Sequence, residues 1–231
     1  MSGIAAAYNA DYTHTEYMTG TAPTIDGQYT SADEWLASGS ETFGPHLWRD
    51  MWQYGDSIFA NVLVQASDAT NDAGDTFTLC FDGNADGGAA PQADDYKVVV
   101  TGHGGTATVQ WYQGTGTGWN AIGAPADVAL AQAQTSLAIL EISIDKNGAG
   151  VPLSMYWAFM VSYNDASGGS ASWPPAPAST DVPDGWGYII YDSGANPNPD
   201  VPEGIGFVAM ATVSCIALVA GTYYIRKKTK P

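Results

Sequence analysis

The clearest chemical spacing in the sequence is Asp-Gly-Asn-Ala-Asp-Gly over residues 82–87. Oxygen ligands at alternate positions, followed by a glycine where the backbone must turn sharply, are typical of the first half of a calcium-binding loop. The twelfth position of such a loop is Ala93 rather than glutamate, which excludes a helical EF-hand. A hairpin turn would use the same Asp, Asn and Gly residues without a metal, so both interpretations stay open. The predicted calcium ligands are Asp82, Asn84, Asp86, Asp94 and Asp95.

A second acidic loop precedes the first one and has poorer spacing for a metal. Its oxygen-bearing residues are Asp68, Asn71, Asp72 and Asp75. Alternate carboxylates point at one centre in a calcium loop, and this loop lacks that regular alternation. We therefore treat it as a weaker candidate for a cation site than residues 82–87.

Aromatic residues provide the candidate ligand-binding surface. The chain has eight tryptophans, and an exposed indole can stack on a sugar ring, whose C–H groups match the negative face of the aromatic system. Trp111, Tyr112 and Trp119 flank the Gly-rich turn at residues 114–118 and could form one platform. Trp173 lies beside prolines and is another candidate for exposure. Packing of these rings in a core is the alternative.

None of the spacings typical of catalytic sites occurs in the sequence. The three histidines, His14, His46 and His103, are scattered, with no HExxH pair, nucleophile elbow or Gly-rich phosphate cradle. A haem group would need axial ligands, and His103, Met155 and Met160 have no recognisable spacing for that role. We therefore predict a protein that is not an enzyme, and we expect no haem.

Strand-length segments must position these residues. Residues 57–67 alternate with a period of two, as a β-strand does. Residues 8–24 have no period and are expected to be a loosely ordered lead-in, with a short helical turn at residues 31–35 and helix or loop at residues 126–134. Many strands with little helix predict an all-β fold, an antiparallel, jelly-roll-like β-sandwich. Further strands are predicted at residues 76–81, 96–101, 106–112, 137–144, 155–163 and 187–191.

The C-terminal tail predicts a membrane anchor. Residues 204–225 carry no charged side chain, and a helix of that length reaches about 33 Å, enough for a hydrocarbon core of about 30 Å. Basic residues cluster after this segment, so the positive-inside rule places the C-terminus in the cytoplasm and the rest of the chain outside. The expected organisation is a lead-in (1–21, after signal cleavage near Ala7), a β-sandwich ectodomain (22–192), a Pro-rich stalk (193–203), a transmembrane helix (204–225) and a basic tail (226–231).

Charge and cysteine content narrow the classes of function. Residues 1–203 hold all 24 acidic residues but only Arg49, Lys97 and Lys146 among the basic ones. Such a strongly acidic surface repels nucleic acid and attracts cations. Cys215 lies in the predicted membrane segment and Cys80 outside it, so no disulfide is expected to stabilise the ectodomain.

The order of landmarks in the ectodomain resembles a known fold. Ile25-Asp26-Gly27 with Trp35 comes first, and Glu141-Ile-Ser-Ile144, Trp173-Pro174 and Trp186-Gly187 close the series. This order is similar to the β-sandwich of family 9 carbohydrate-binding modules and DOMON domains, which bind sugar or haem. The resemblance covers roughly residues 22–192. It implies sugar binding and favours structural calcium, which several sugar-binding modules carry. The tail is similar to the anchoring tails of archaeal surface proteins, although Gly204 replaces the Phe of a sorting motif.

These observations lead to one prediction of function and two alternatives. We predict a membrane-anchored, non-catalytic module at the cell surface that binds glycan and is stabilised by calcium. A structural subunit of a surface coat or filament, with copies of itself or surface-layer neighbours as partners, is the first alternative. A haem-binding redox domain is the second. A binding module should present exposed aromatic rings on one face, whereas a structural subunit should present a large apolar patch or an unpaired strand edge.

Overall fold

Almost every regular element of the described chain is a β-strand. The computed structural model describes residues 8–29, 34–35, 38–54 and 57–194. Two short 3-10 turns, Gly104–Thr106 and Pro183–Gly185, are the helical elements of these ranges. The strands are β1 Asn9–Thr19, β2 Gly39–Phe43, β3 His46–Tyr54, β4 Ile58–Ala66, β5 Thr76–Asp82, β6 Asp95–Thr101, β7 Thr108–Gly114, β8 Trp119–Ile122, β9 Val128–Gln134, β10 Ala138–Asp145, β11 Trp157–Asp165, β12 Gly169–Trp173 and β13 Gly187–Asp192.

These strands form one continuous sheet that curls into two packed layers. The hydrogen-bonded order is β8-β7-β6-β5-β11-β13-β1-β3-β4-β10-β9, with β12 beside β11 and β2 beside β3. Strand β1 joins the two layers, because it pairs with β13 over most of its length and with β3 at its end. Both of these pairings are parallel, whereas the other strand pairs are antiparallel. The predicted all-β sandwich is confirmed, with a parallel junction that the sequence did not indicate.

The main core lies between the two layers and is rich in aromatic rings. Trp48 packs against Phe159 and Trp173, each with ring centroids 4.9 Å apart. Strand β4 contributes Ala60, Val62 and Val64 to this core, as its predicted alternation requires. The intervening Leu63 is equally buried, in a second cluster with Trp35, Met51 and Ile139 on the opposite face. Apolar side chains therefore cover both faces of this strand.

The described residues between 20 and 35 contribute to that second cluster and are bonded to it. Ile25 and Tyr29 pack against its buried residues. The buried Glu141 carboxylate accepts hydrogen bonds from the backbone N–H groups of Asp26 (2.9 Å) and Gly27 (2.7 Å). Burial raises the pKa of Glu141 to about 7 even though these two donors lower it. The backbone at Asp26-Gly27 is therefore bound to the outer face of β10.

Several sequence predictions of elements are corrected by the structure. Residues 8–24 are not loosely ordered, because they contain β1, and residues 128–134 form a strand rather than helix or loop. Strand β11 begins at Trp157 instead of residue 155. The predicted helical turn at residues 31–35 and the stalk at 193–203 lie largely outside the described residues, and the membrane segment (204–225) and basic tail (226–231) lie wholly outside them. Within the described ranges, no helix has the length and apolar character needed to cross a bilayer.

Candidate functional site

The loop between β5 and β6 brings three predicted calcium ligands together. Asp82 ends β5 and Asp95 begins β6, and the two residues are directly opposed in the antiparallel pair. The loop folds back between them, so that Asp82, Asp86 and Asp94 each offer a carboxylate oxygen within 4.8 Å of the others. Asn84 is exposed, and its side chain bonds instead to Asp86, whose backbone N–H it accepts at 2.9 Å. The geometry thus groups three of the five predicted residues directly.

The electrostatics of this loop favour a cation. Burial, and then the charges of Asp82, Asp94 and Asp86, raise the pKa of Asp95 to about 8, although its hydrogen bond from Gln92 opposes the shift. One oxygen of Asp94 and one of Asp95 are buried with no hydrogen-bond partner in the described part of the chain. Buried carboxylates that face one another are stabilised by a bound cation, and calcium prefers oxygen ligands of this kind.

The second acidic loop is divided by the fold into two groups that share Asp75. Asp68 and Asp75 lie with His103 in one fully buried group, and Asp72 and Asp75 lie with Asp165 in another. In the buried group the His103 ring and the Asp75 carboxylate are 2.8 Å apart. Most oxygens here already accept hydrogen bonds, for example Asp75 from the backbone N–H groups of Asp72 and Ala166. These groups therefore serve as internal links between loops.

Tyr163 completes the buried group around His103. Its hydroxyl donates a hydrogen bond to Asp68 at 2.7 Å. Burial by itself would raise the pKa of Asp68, but the bonds from Tyr163 and Thr70 outweigh burial and hold that pKa below its ordinary value. Asn71 is outside both groups. Its side-chain amide donates a hydrogen bond to the His103 carbonyl and accepts one from the His103 backbone N–H.

Two of the four predicted sugar-stacking residues are in the main core. Trp111 is 3% exposed and Trp173 is 4% exposed. The expectation that these rings are open to solvent is therefore wrong. Trp111 points inward from β7 with the same alternation as Val98 and Val100 of β6, and Trp173 packs on Trp48. Neither ring has a free face for a ligand.

The other two predicted residues, Tyr112 and Trp119, are partly exposed and both lie next to Lys97. The Lys97 ammonium group lies 4.5 Å from the centroid of the Trp119 ring and 5.1 Å from that of Tyr112. The Trp119 indole N–H donates to the Asp181 carboxylate at 2.9 Å. The ring of the buried Trp186 is parallel to that of Trp119, with centroids 6.3 Å apart. These contacts hold Trp119 half-exposed in a fixed orientation.

A column of tyrosines on the same outer face was missed by sequence reasoning. Tyr8 and Tyr188 stack at 4.0 Å, and Tyr156 stacks on Tyr188 at 6.0 Å with its side chain 48% exposed. Tyr8, Tyr188 and Trp119 all pack against one cluster that contains Trp186, so they share one face of the sheet. We call Tyr8, Trp119, Tyr156, Trp186 and Tyr188 the outer aromatic face. The alternation in β13 indicates that Tyr188 opposes the core residue Ile189, but Tyr8 and Tyr156 precede their strands and carry no such signal.

The acidic loop is fastened to this outer aromatic face. Gly88 donates its N–H to the Asp184 carboxylate at 2.7 Å, and the Asp184 N–H donates to the Gly88 carbonyl at 3.2 Å. Asp184 belongs to the 3-10 turn that immediately precedes Trp186, and Ala85 of the loop packs in the same cluster as Trp186. The position of the loop is thus coupled to the position of the Trp186 ring.

A pocket of about 490 Å³, lined by apolar residues and by five residues with hydroxyl groups, lies beside the outer aromatic face. Met160 contributes to both the pocket and the cluster under the aromatic rings. A pocket of this size can accept a small organic molecule, and hydroxyl groups both donate and accept hydrogen bonds. Its polar lining consists of Ser162, Ser170, Ser172, Ser179 and Thr180.

Comparison with known proteins gives a fold but no sequence family. No family model matches this sequence, and no curated protein matches it either. A family 9 carbohydrate-binding module from Caldicellulosiruptor kristjanssonii, in complex with cellotriose, superposes with a TM-score of 0.54 at 17% identity, over 82% of this chain and 98% of that one. This chain has the fold of family 9 carbohydrate-binding modules. A complex of a module of the same family and organism with glucose gives the same TM-score at 16% identity, over 80% of this chain and 100% of the other.

Proposed function

We propose that this chain is a non-catalytic carbohydrate-binding module that acts at the cell surface. The observation that carries the proposal is its fold, which it shares along nearly the full length of modules solved with cellotriose and glucose. A specific sugar is not implied by that similarity, because the sequences are only 16–17% identical. The proposal therefore rests equally on whether this chain has a surface with the right chemistry.

The outer aromatic face and the adjoining pocket supply that chemistry. Trp119 is partly exposed and Tyr156 is 48% exposed, and each ring is held by a stacked neighbour, Trp186 or Tyr188. A sugar ring gains affinity by stacking its C–H groups on such rings, and preorganised rings lose little entropy on binding. The hydroxyl groups of the pocket can bond to sugar hydroxyls beside the stacked ring. Asp181 and Lys97 add charged partners next to Trp119.

Calcium is the cofactor that we propose for the β5–β6 loop. Asp82, Asp86 and Asp94 would supply carboxylate ligands, with Asp95 as a further acidic group at the base of the loop. A bound calcium ion would neutralise these charges and fix the loop. Because Asp184 connects this loop to Trp186, the ion would also stabilise one end of the outer aromatic face.

Membrane anchoring completes the proposal. The apolar segment at residues 204–225 and the basic residues after it support a single membrane-spanning helix with the β-sandwich outside the cell. The partner would then be a surface or environmental glycan. The alternative of a coat or filament subunit needs a broad apolar patch or an unpaired strand edge. Among the described residues, large exposed hydrophobic side chains are limited to Val109, Met155, Tyr156 and Val182, which disfavours a broad apolar patch. Strands β8 and β9 end the sheet order and each pair on one side, so assembly through a strand edge is the second candidate function.

A glycan-array screen of the full chain in detergent tests the proposal, followed by titration calorimetry with the best ligand. Trp119→Ala and Tyr156→Ala should each weaken binding about tenfold, since a stacking contact contributes about 1 kcal/mol or somewhat more. Val109→Ala is the matched control, because Val109 is exposed but lies on the face of β7 that also carries Trp111. Absence of any glycan binding, or equal affinity of all three variants, would contradict the proposed site.

A further inference from the structure

A lysine and a glutamate meet in the interior of the sandwich. Lys146 directly follows β10, Glu16 lies in β1, and the Lys146 Nζ atom is 2.6 Å from Glu16 Oε2. The side chains are 2% and 0% exposed, respectively. The Trp157 ring packs beside them, with its centroid 5.7 Å from Nζ and its indole nitrogen 3.5 Å from the same Glu16 oxygen. Amine and carboxyl group are therefore held together in a site from which water is excluded.

The interior disfavours the charged form of Glu16. Burial raises the pKa of Glu16, the charge of Lys146 opposes that shift, the charge of Asp50 adds to it, and the net effect is a raised pKa. A proton that moves from the ammonium group to the carboxylate leaves a neutral amine beside a neutral carboxylic acid. Two charges in an apolar site lose much of their hydration energy, so this transfer costs far less there than in water. The neutral pair is the reactant state for an amide bond.

We propose that Lys146 and Glu16 condense into an intramolecular isopeptide bond. The Nζ lone pair attacks the Glu16 Cδ atom, the new N–C bond forms, and one carboxyl oxygen leaves as water with two protons. One of these protons comes from the amine and the other from the carboxylic acid. Nothing is oxidised or reduced, so no co-reactant is needed. Nζ is at most one C–O bond further from Cδ than from Oε2, and such preorganisation replaces chemical activation.

Asp50 is positioned to move the proton during this step. It lies next to Glu16 on the neighbouring strand, since the following residues of β1 and β3, Tyr17 and Met51, are paired, and its Oδ1 atom is 2.6 Å from Nε2 of His14. The other oxygen, Oδ2, is buried without a hydrogen-bond partner among the described residues, as is Glu16 Oε1. Asp50 Oδ2 can accept a proton from the attacking nitrogen and return it to the leaving oxygen, as a general acid–base group does. His14 orients Asp50 and takes no direct part.

The bond would be a covalent cross-link between strand β1 and the end of strand β10. Glu16 and Lys146 are 130 residues apart in the chain, and β3 and β4 lie between their strands in the sheet order. A cross-link that closes so long a loop restricts the unfolded chain strongly, as a long-range disulfide does. Cys80, which is buried and unpaired, offers no such link within the described ranges.

Mass spectrometry of the purified full chain tests the proposal. The folded protein should be lighter than its sequence by the mass of one water molecule. After proteolysis under denaturing conditions, the segments that carry Glu16 and Lys146 should elute as one branched peptide. Lys146→Arg should restore the full mass and give two separate peptides, and it should migrate more slowly in denaturing gels. Lys97→Arg is the matched control, because Lys97 faces the exposed Asp181 at 3.8 Å and should leave the mass deficit unchanged.

Each possible mass and peptide result either supports or contradicts the bond between Lys146 and Glu16. A wild-type chain with its full sequence mass, or a deficit with the two segments still separate, overturns the bond and leaves an ordinary buried ion pair. This result does not depend on whether Lys146→Arg folds. Asp50→Asn should leave most molecules without the cross-link, and complete cross-linking in that variant would overturn the role of Asp50. Because the readout is a mass, it is independent of any glycan binding.

Discussion

The effect of Asp95 on stability should depend on whether a cation is bound in the acidic loop. Replacing Asp95 with asparagine should therefore show how much the carboxyl group destabilises the fold without a cation and how much it stabilises the fold with calcium. Asp95 is fully buried at the base of the β5–β6 loop, and one of its oxygens has no partner in the described chain. Without a cation this carboxyl group destabilises the fold, whereas with calcium bound its negative charge attracts the ion and stabilises the loop. The Asp95→Asn variant should therefore be more stable than the wild type in excess EGTA. It should also gain less stability from calcium.

The magnitude follows from the shifted pKa. The ordinary pKa of Asp is 3.8, and in the folded protein burial and the neighbouring carboxylates raise it to about 8. Between these values the folded state holds a proton that the unfolded state has released, so stability falls by about 1.4 kcal/mol per pH unit as the pH rises. The upper bound near pH 7 is about 4 kcal/mol. Because adjacent carboxylates titrate together, we take about half, or about 2 kcal/mol.

Urea denaturation at about pH 5 and about pH 7.5, with calcium or EGTA, measures these effects. In EGTA the wild type should lose stability between the two pH values, and Asp95→Asn should remove most of that loss. Asp11→Asn is the matched control, since Asp11 is exposed on β1. A variant that is less stable than the wild type in EGTA, or that keeps the whole stabilisation by calcium, would refute this reasoning.

Two further substitutions test the packing around the site. Gly114→Ala should prevent normal packing at the β7 end, because its Cβ would lie 2.0 Å from a backbone oxygen of the β5–β6 loop, whereas Gly118→Ala has nothing within 4 Å and should be nearly neutral in thermal melts. Equal melting temperatures would contradict the close approach. Tyr163→Phe removes the buried 2.7 Å bond to Asp68 and should cost about 1–3 kcal/mol in urea denaturation. Tyr156→Phe, at a half-exposed ring, should change stability by no more than about 0.5 kcal/mol, and a similar loss in both variants would exclude the proposed network.

The local patterns of the sequence predicted seven of the thirteen strands but missed β1 and β3, which lie in the middle of the sheet order. Strands β4, β5, β6, β10 and β13 lie within one or two residues of their predicted bounds, because strong period-two alternation is a local property. Strand β1 escaped prediction, since its polar sequence alternates weakly and it pairs with β13 and β3, which are distant in the chain. For β9 the sequence predicts helix or loop, because three of its seven residues are alanine, which is depleted in strands.

The sequence by itself determined the all-β class and the convergence of Asp82, Asp86 and Asp94, because both depend on residues close together in the chain. It could not determine which aromatic rings are exposed. Alternation assigns residues to two sets, but here apolar segments cover parts of both sheet faces, so only the packing of distant elements decides which ring stays open. The same reason applies to Glu16 and Lys146, whose meeting across 130 residues exists only once the sheet has curled.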